Sequence, residues 1–299
     1  MPKTSKDVKE FYDGAARNYH KKYDPSVALT TDSYSADRFR LEIIIRRFKE
    51  ENIKGKIIDF GVGDGLAAKT IFEQTDIDTW ACDISDEMIK ICKNNFDLSD
   101  MNSKQIFNID VADNTQFEEI NSSVPFNAAI CLGVMPHVPD VNTALKNIRS
   151  LLSENGRAFI SFRNSLFSLF TMNKFTHDFI VDDLLFDTNE EVKKLVSNDL
   201  KLRMAMDKPK PRVIGDSGKR GYDTIQAKFH NPLEAEELFK KCGFKNIKIH
   251  FYHFHAAYPL LETDLTSRKL MRQASIDLEG SDNWKGNFLC SAYLVEAIV

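Results

Sequence analysis

Residues 56–66 read KIIDFGVGDGL. Lys56 to Phe60 is a short apolar run with the length of a buried strand. It stops at the cluster Asp59-Phe60-Gly61-Val62-Gly63-Asp64-Gly65, and Leu66 to Gln74 then carries apolar residues at helical spacing. Strand, tight turn, helix is the predicted local structure. Glycine is needed in such a turn where a side chain would block a ligand's approach to the backbone or forbid a positive φ. Taken alone the pattern is equally an ordinary strand-to-helix turn, so its meaning depends on what surrounds it.

The same alternation continues downstream. Asp78 to Cys82 reads as a second strand with a helix from Asp86 to Asn95 behind it, Gln105 to Ile109 as a third, and Asn127 to Leu132 as a fourth, followed by a helix from Val141 to Leu152. A fifth strand, Arg157 to Phe162, starts after an Asn155-Gly156 turn. Asn231-Pro232 opens a helix that runs through Lys241 and stops at Gly243, and Asn246 to Tyr252 and Asn287 to Val299 complete seven strands. Upstream, Val8 to Tyr19 and the set Leu41, Ile44, Ile45, Phe48 have helical periodicity. Strands alternating with helices of this length predict an α/β fold with a doubly wound, mostly parallel sheet, its right-handed crossovers putting helices on both faces. After Arg163 the alternation stops for longer than any normal crossover loop. The expected organisation is a helical entrance segment (1–54), a core built from 55–163 and 231–299, and an inserted cap (164–230).

Composition removes several function classes. The 299 residues are 42% hydrophobic and 28% charged, ordinary for a globular protein and unlike a disordered or fibrous chain. Forty basic against 44 acidic residues give a net charge of -4, so no chain-wide positive field exists to hold nucleic acid. No apolar run reaches the length of a bilayer span. The five cysteines are scattered, odd in number and without Cys-x-x-Cys spacing, and the first ten residues are polar and lysine-rich. Both features predict a cytoplasmic protein with neither disulfide framework nor membrane contact.

Acidic residues sharpen the meaning of the glycine turn. Asp83 closes the second strand, where a carboxylate can accept from the two hydroxyls of a ribose. Ser85 is available to cap the following helix, which leaves Asp83 for a ligand. Asp110 ends the third strand at the same sheet edge and can accept from an exocyclic amine. Open parallel sheets bind ligands at their carboxyl ends, where strand order reverses, so these groups are expected to converge on one crevice.

With these residues in place, the chain resembles the class I S-adenosylmethionine-dependent methyltransferases. Asp59-x-Gly61-x-Gly63-x-Gly65 is similar to that family's first motif and Asp83 to its ribose-binding acid. The resemblance implies a Rossmann-like methyltransferase fold with S-adenosyl-L-methionine as cofactor. It also implies that Asp110 reads the adenine amine beside Val111, that Ile84 and Met88 flank the adenine ring, and that Leu132-Gly133 lies near the methionine moiety. Residues 126–137, FNAAICLGVMPH, resemble the fourth-strand motif, with Pro136 where an acidic residue is common. The N-terminal FYDGAARNYHKKYD resembles the entrance helix, in which an aromatic residue closes over the cofactor. Tyr12 and Tyr19 share one helical face, amphipathic packing explains them equally, and Tyr19 is the predicted cofactor contact.

Methyl transfer from a sulfonium relies mainly on positioning, and a hydroxyl acceptor also needs a base. His137, just past the fourth strand, is the candidate for that catalytic role, against the alternative that it only hydrogen-bonds its loop. Arg163, His253, His255, Arg220 and Tyr222 are the candidate substrate contacts. On a strand, His253 and His255 share a face while His250 points away. No cysteine or carboxylate joins them at ligand spacing, so no metal is expected. Seven phenylalanines between Phe159 and Phe186 suggest a core for the cap or a contact between two copies in a homodimer. Residues 201–228 hold eight basic and three acidic residues, including DKPKPRVIGDSGKRGYD, a loop suited to an anionic acceptor or simply to solvent.

The expected activity is therefore methyl transfer to a small molecule, an anionic metabolite such as a nucleotide-linked sugar being the sharper form. A nicotinamide-dependent oxidoreductase is the alternative, but its fingerprint needs Gly or Ala where Leu66 stands. A nucleic-acid methyltransferase is disfavoured by the charge and by Cys131-Leu132-Gly133-Val134 at the fourth strand's end. A non-catalytic nucleotide-binding protein on the same fold completes the set.

Overall fold

The computed structural model describes residues 4–16, 36–75, 77–99, 101–121, 123–204, 228–257, 265–281 and 283–299. Helix α1 (Ser5–Ala15) starts where the Asp7 carboxylate accepts from the backbone N–H of Thr4 at 2.7 Å. Helix α2 (Ala36–Glu50) buries Leu41, Ile44, Ile45 and Phe48, the periodic set seen in the sequence. Then follow β1 (Lys56–Phe60), α3 (Leu66–Thr75), β2 (Asp78–Asp83), α4 (Asp86–Asp97), β3 (Ile106–Asn108), β4 (Phe126–Cys131), α5 (Val141–Ser150) and β5 (Leu152–Arg163).

The seven strands form one sheet in the order β3-β2-β1-β4-β5-β7-β6, with β6 (Lys245–Phe254) and β7 (Cys290–Ile298) at one end. Every pairing from β3 through β5 is parallel, and β7 runs antiparallel to both its neighbours. This is the doubly wound, mostly parallel sheet expected from the alternation. Chain order reverses between β1 and β4, and that is where such a sheet opens a crevice at its carboxyl edge.

Apolar faces on both sides of the sheet are buried. On one, Leu41, Ile44 and Ile71 meet Ile130 and Phe159. On the other, Leu145 and Ile148 pack with Phe239 of α7 (Pro232–Lys241) against Ile160 and Val295. Each such side chain, fully buried, contributes about 1.5–3 kcal/mol.

Three local expectations change. Asn155-Gly156 is not a turn before β5 but a bulge inside it: the register against β4 jumps between Phe126↔Leu152 and Ala128↔Arg157, with Asn155 at φ 64°. The last strand starts at Cys290 rather than Asn287, because residues Gly286–Leu289 turn as a short helix. Helix α8 (Leu265–Ile276), which the sequence reading left unassigned, docks by Ser275 Oγ accepting from Ala256 N at 2.9 Å.

Beyond β5, the chain forms a helical turn at Leu166–Phe170, a helix at Lys174–Asp178 and α6 (Glu190–Met204). Asn164 and His230 form an isolated parallel bridge where this excursion leaves and rejoins the core. The fully buried Asn164 amide donates to the carbonyls of Asn287 and Cys290 at 2.7 and 2.9 Å. Of the phenylalanines in this region, Phe159 and Phe162 belong to the sheet core, Phe167 and Phe179 are buried, and Phe175 and Phe186 are exposed.

Candidate active site

A cleft opens at the carboxyl ends of β1, β2 and β4. Ten of the residues singled out from sequence line it: Gly61, Gly63, Asp83, Ile84, Met88, Asp110, Val111, Leu132, Gly133 and His137.

The glycine turn makes the floor. Gly61, Gly63 and Gly65 all have positive φ, at 73°, 58° and 82°, where any other residue is strained. Their work differs. A Cβ on Gly61 would lie 2.1 Å from Val134 Cγ2, so this glycine lets the β1 turn sit against the loop after β4. Gly63 donates its N–H to Asp83 Oδ2 at 2.9 Å. Gly65 lies behind the cleft wall, where a Cβ would be 2.7 Å from Cys92 Sγ.

Asp83 is 8% exposed and its other oxygen accepts from Ser85 N at 2.9 Å. Burial pushes its carboxyl up to about 6, against the pull of the backbone N–H groups of Ser85, Gly63 and Ile84. Ser85 Oγ caps α4 by accepting from Met88 N, the division of labour expected from sequence. Asp59 is not at the cleft surface. It is 2% exposed under the turn, and burial together with the Asp83 charge pushes it up to about 8, the Arg40 charge pulling the other way. Asp110 lines the cleft while its Oδ1 accepts from Ala112 N at 2.9 Å, an Asx turn that fixes the loop after β3.

His137, 4% exposed, sits in a single helical turn closed by its own N–H donating to Val134 O at 2.9 Å. Its Nε2 lies 3.3 Å from the Tyr12 hydroxyl. Helix α1 thus crosses the cleft mouth, with Ser5, Val8 and Tyr12 on the lining face. It is fastened to the opposite rim by Lys9 Nζ donating to Ile84 O at 3.0 Å and by Ser85 Oγ donating to Asp13 at 2.5 Å. Sequence reasoning chose Tyr19 over Tyr12. Tyr19 lies outside the described residues, and Tyr12 is the aromatic that this structure brings to the cleft.

Arg40 was missed as well. Its 7%-exposed guanidinium lies against Gly133, with Nη1 3.0 Å from where a Cβ on that glycine would be, and Asp37 holds Nη2 at 2.7 Å. The signal was present: Arg40 falls in helical phase with the buried Ile44 and Phe48.

The substrate candidates are placed less closely. Arg163 is the last residue of β5, paired with Ala292 of β7, and does not line the cleft. Its guanidinium stands over the Phe229 ring at 5.6 Å. His253 and His255 have their rings 4.6 Å apart, as expected for one face, although His253 has φ 58° within β6. They do not line the cleft. They end β6, three strands from β4, which is about 14 Å away. There His253 Nδ1 meets Ser291 Oγ and the His255 ring packs on Phe167 at 4.7 Å. His250 faces away, its Nε2 2.9 Å from Glu296 Oε2. Arg220 and Tyr222 lie outside the described residues. No described helix is long and apolar enough to cross a membrane, and among the described residues no His/Cys/Asp/Glu group is arranged to hold a metal ion.

The donor set suits an adenosyl ligand: a carboxylate at the glycine turn, apolar Ile84, Met88, Ile109 and Val111 around it, and a second acid beyond them. The methyltransferase-domain family matches residues 34–249. A ubiquinone biosynthesis O-methyltransferase of Rickettsia typhi is 28% identical over 185 residues, covering 53% of this chain and 70% of that protein. Two solved structures share the fold. The magnesium protoporphyrin IX methyltransferase of Synechocystis PCC 6803, with S-adenosylhomocysteine bound, has a TM-score of 0.54 at 13% identity and 97% coverage of both chains. Phosphoethanolamine N-methyltransferase 2 of Haemonchus contortus has 0.51 at 11% identity, covering 98% of this chain and 58% of that one.

Proposed function

Because this chain belongs to the methyltransferase-domain family and is an S-adenosylmethionine-dependent methyltransferase, we propose that it methylates a hydroxyl of a small anionic acceptor, with His137 as the base. The observation that carries the reading is that a hydroxyl, the phenol of Tyr12, already stands 3.3 Å from His137 Nε2 at the cleft mouth. An acceptor hydroxyl that displaces the phenol meets the same nitrogen, whose single lone pair then takes the acceptor's proton.

When bound, S-adenosylmethionine supplies a methyl group already activated on a sulfonium, and its thioether departs without a proton. The chain's part is therefore to position and to take one proton. Asp83 accepts from the ribose hydroxyls in the lone-pair directions that the backbone N–H groups of Gly63, Ser85 and Ile84 leave over. Asp110 takes the adenine amine, with Ile84, Met88 and Val111 against the ring. Asp59 and Gly65 support this floor from behind, Leu132 and Gly133 bound the methionine end, and Arg40 beside Gly133 pairs with its carboxylate. His137 removes the acceptor's proton as the oxygen attacks. Arg163 meets the acceptor's anionic group. The O-methyltransferase relative supports a hydroxyl acceptor.

Calorimetry with S-adenosylmethionine and S-adenosylhomocysteine tests the donor site. A panel of catechols and phenolic acids, with and without a carboxylate, tests the acceptor by the mass of one added methyl. His137→Ala should lower turnover by about 10²–10⁴ and leave donor affinity intact. Turnover at the wild-type rate in that variant overturns the base assignment, and a carboxylate-free phenol methylated as fast as its acid overturns the anionic one.

A further inference from the structure

The residues at which the 164–230 excursion rejoins the core touch three separate elements. Lys228 grips the loop that carries His137 from both sides: its N–H donates to Pro136 O at 2.7 Å and its Nζ to Pro139 O at 2.6 Å. Phe229 packs on Phe175 of the Lys174–Asp178 helix at 5.6 Å and lies under the Arg163 guanidinium. His230 donates its N–H to Arg163 O at 2.8 Å and sets its ring edge-on to Phe162 at 4.9 Å. Consecutive residues thus join the loop after β4, the excursion's own helix and the end of β5.

We propose that Lys228 is a positioning residue that ties the 164–230 excursion to the His137 loop, so that the placement of the His137 ring depends on where the excursion sits. The inference rests on the reading of His137 as the base and deepens it. Pro136 and Pro139 bracket that histidine, and neither can donate a backbone hydrogen bond. Their carbonyls are the handles the loop offers, and Lys228 holds both. An acceptor that engages Arg163 presses on the Arg163–Phe229 stack, and Lys228, one residue from Phe229, carries that displacement to the base. Lys228 itself is exposed and hydrogen-bonds the carbonyl oxygens of Pro136 and Pro139, so its effect on the reaction passes through His137.

The test compares Lys228→Met, which keeps the stem and loses the donor, with Lys228→Arg, which keeps a cationic donor. Amide hydrogen exchange at His137 and Val138 and the ring ¹⁵N resonances of His137 are followed by NMR, alone and with S-adenosylhomocysteine. Losing the Nζ bond should speed exchange at the two amides by about tenfold and move the ring resonances in Lys228→Met. Lys228→Arg should restore both, with melting temperature and calorimetric affinity for S-adenosylhomocysteine unchanged throughout. Wild-type exchange and ring resonances in Lys228→Met overturn the proposal. These readouts need neither donor nor acceptor, so they stand apart from a failure of donor binding in the unmutated chain or of the His137→Ala assay.

Discussion

The Tyr12 hydroxyl and His137 Nε2 stand 3.3 Å apart although 125 residues separate them in the chain. Their rings meet edge to face with centroids 5.9 Å apart. One contact thus joins the first helix to the loop that follows the fourth strand, across the mouth of the donor cleft. Tyr12→Phe keeps the ring contact and deletes the hydrogen bond. The expected outcome is a fall in the acceptor's KM of about fivefold, one hydrogen bond that the acceptor no longer has to displace from His137 Nε2, with S-adenosylmethionine affinity nearly unchanged. Steady-state kinetics beside calorimetry separates the two.

Donor affinity should depend on pH through Asp83. Its carboxyl is pushed up to about 6 by burial, and only the ionised form accepts from both ribose hydroxyls with full strength. Affinity should be highest above pH 6 and weaken by up to about tenfold per pH unit as pH falls below it. Titration calorimetry between pH 5 and 7.5 measures this, and Asp83→Asn should bind more weakly and lose the dependence. A flat profile in the unmutated protein would count against ionised Asp83 as the ribose contact.

Gly65→Ala tests a position behind the cleft. Its φ of 82° costs a residue with a side chain about 1–3 kcal/mol, and the new methyl would lie 2.7 Å from Cys92 Sγ and 3.1 Å from Phe96. The variant should melt several degrees lower. Adding Cys92→Ala should return part of the loss, the part due to crowding, and leave the backbone strain.

The far side of the sheet holds a charge cluster that stabilises the fold. Glu296, 2% exposed, accepts from Arg47 at 2.7 and 2.9 Å, from Arg157 at 2.6 Å, and pairs with His250. Burial alone would raise its pKa, but the hydrogen bonds from His250 and Arg47 outweigh that and bring it down to about 2. A folded pKa below the unfolded one gives stability that is complete above about pH 4.5 and is lost as pH falls toward 2. Glu296→Ala leaves Arg47 and Arg157 with Glu50 and Glu51 as their remaining carboxylate partners and should cost about 1–3 kcal/mol. Urea denaturation at pH 7 and pH 3 should show a much smaller penalty at the lower pH.

What could be read from the chain follows the range of the physics behind it. Gly61, Gly63, Gly65 and Asp83 were legible because a backbone turn against a ligand constrains residue type at fixed local spacing. The strands were legible because most of their buried positions are apolar, with polar exceptions such as Asp59 and Glu296. Tyr12 and Tyr19 share a helical face, so periodicity could not choose between them. The bulge at Asn155-Gly156 has the composition of a turn, and only the register against β4 shows that pairing resumes beyond it. The late start of β7 was hidden because the Asn164 amide, far away in sequence, captures the carbonyls of Asn287 and Cys290. Arg163 and Lys228 acquire their places from strand order and from the closing of a long excursion, and neither leaves a local pattern.

That Asn164 anchor has an evolutionary corollary. Because one amide and the short bridge to His230 seal the excursion at its base, the chain between them can lengthen, shrink or be swapped without moving the sheet. On the organisation expected from sequence, in which that segment caps the acceptor, a graft between Asn164 and Lys228 that keeps Lys228 should change acceptor preference and leave the residues of β1, β2 and β3 at the cleft in place.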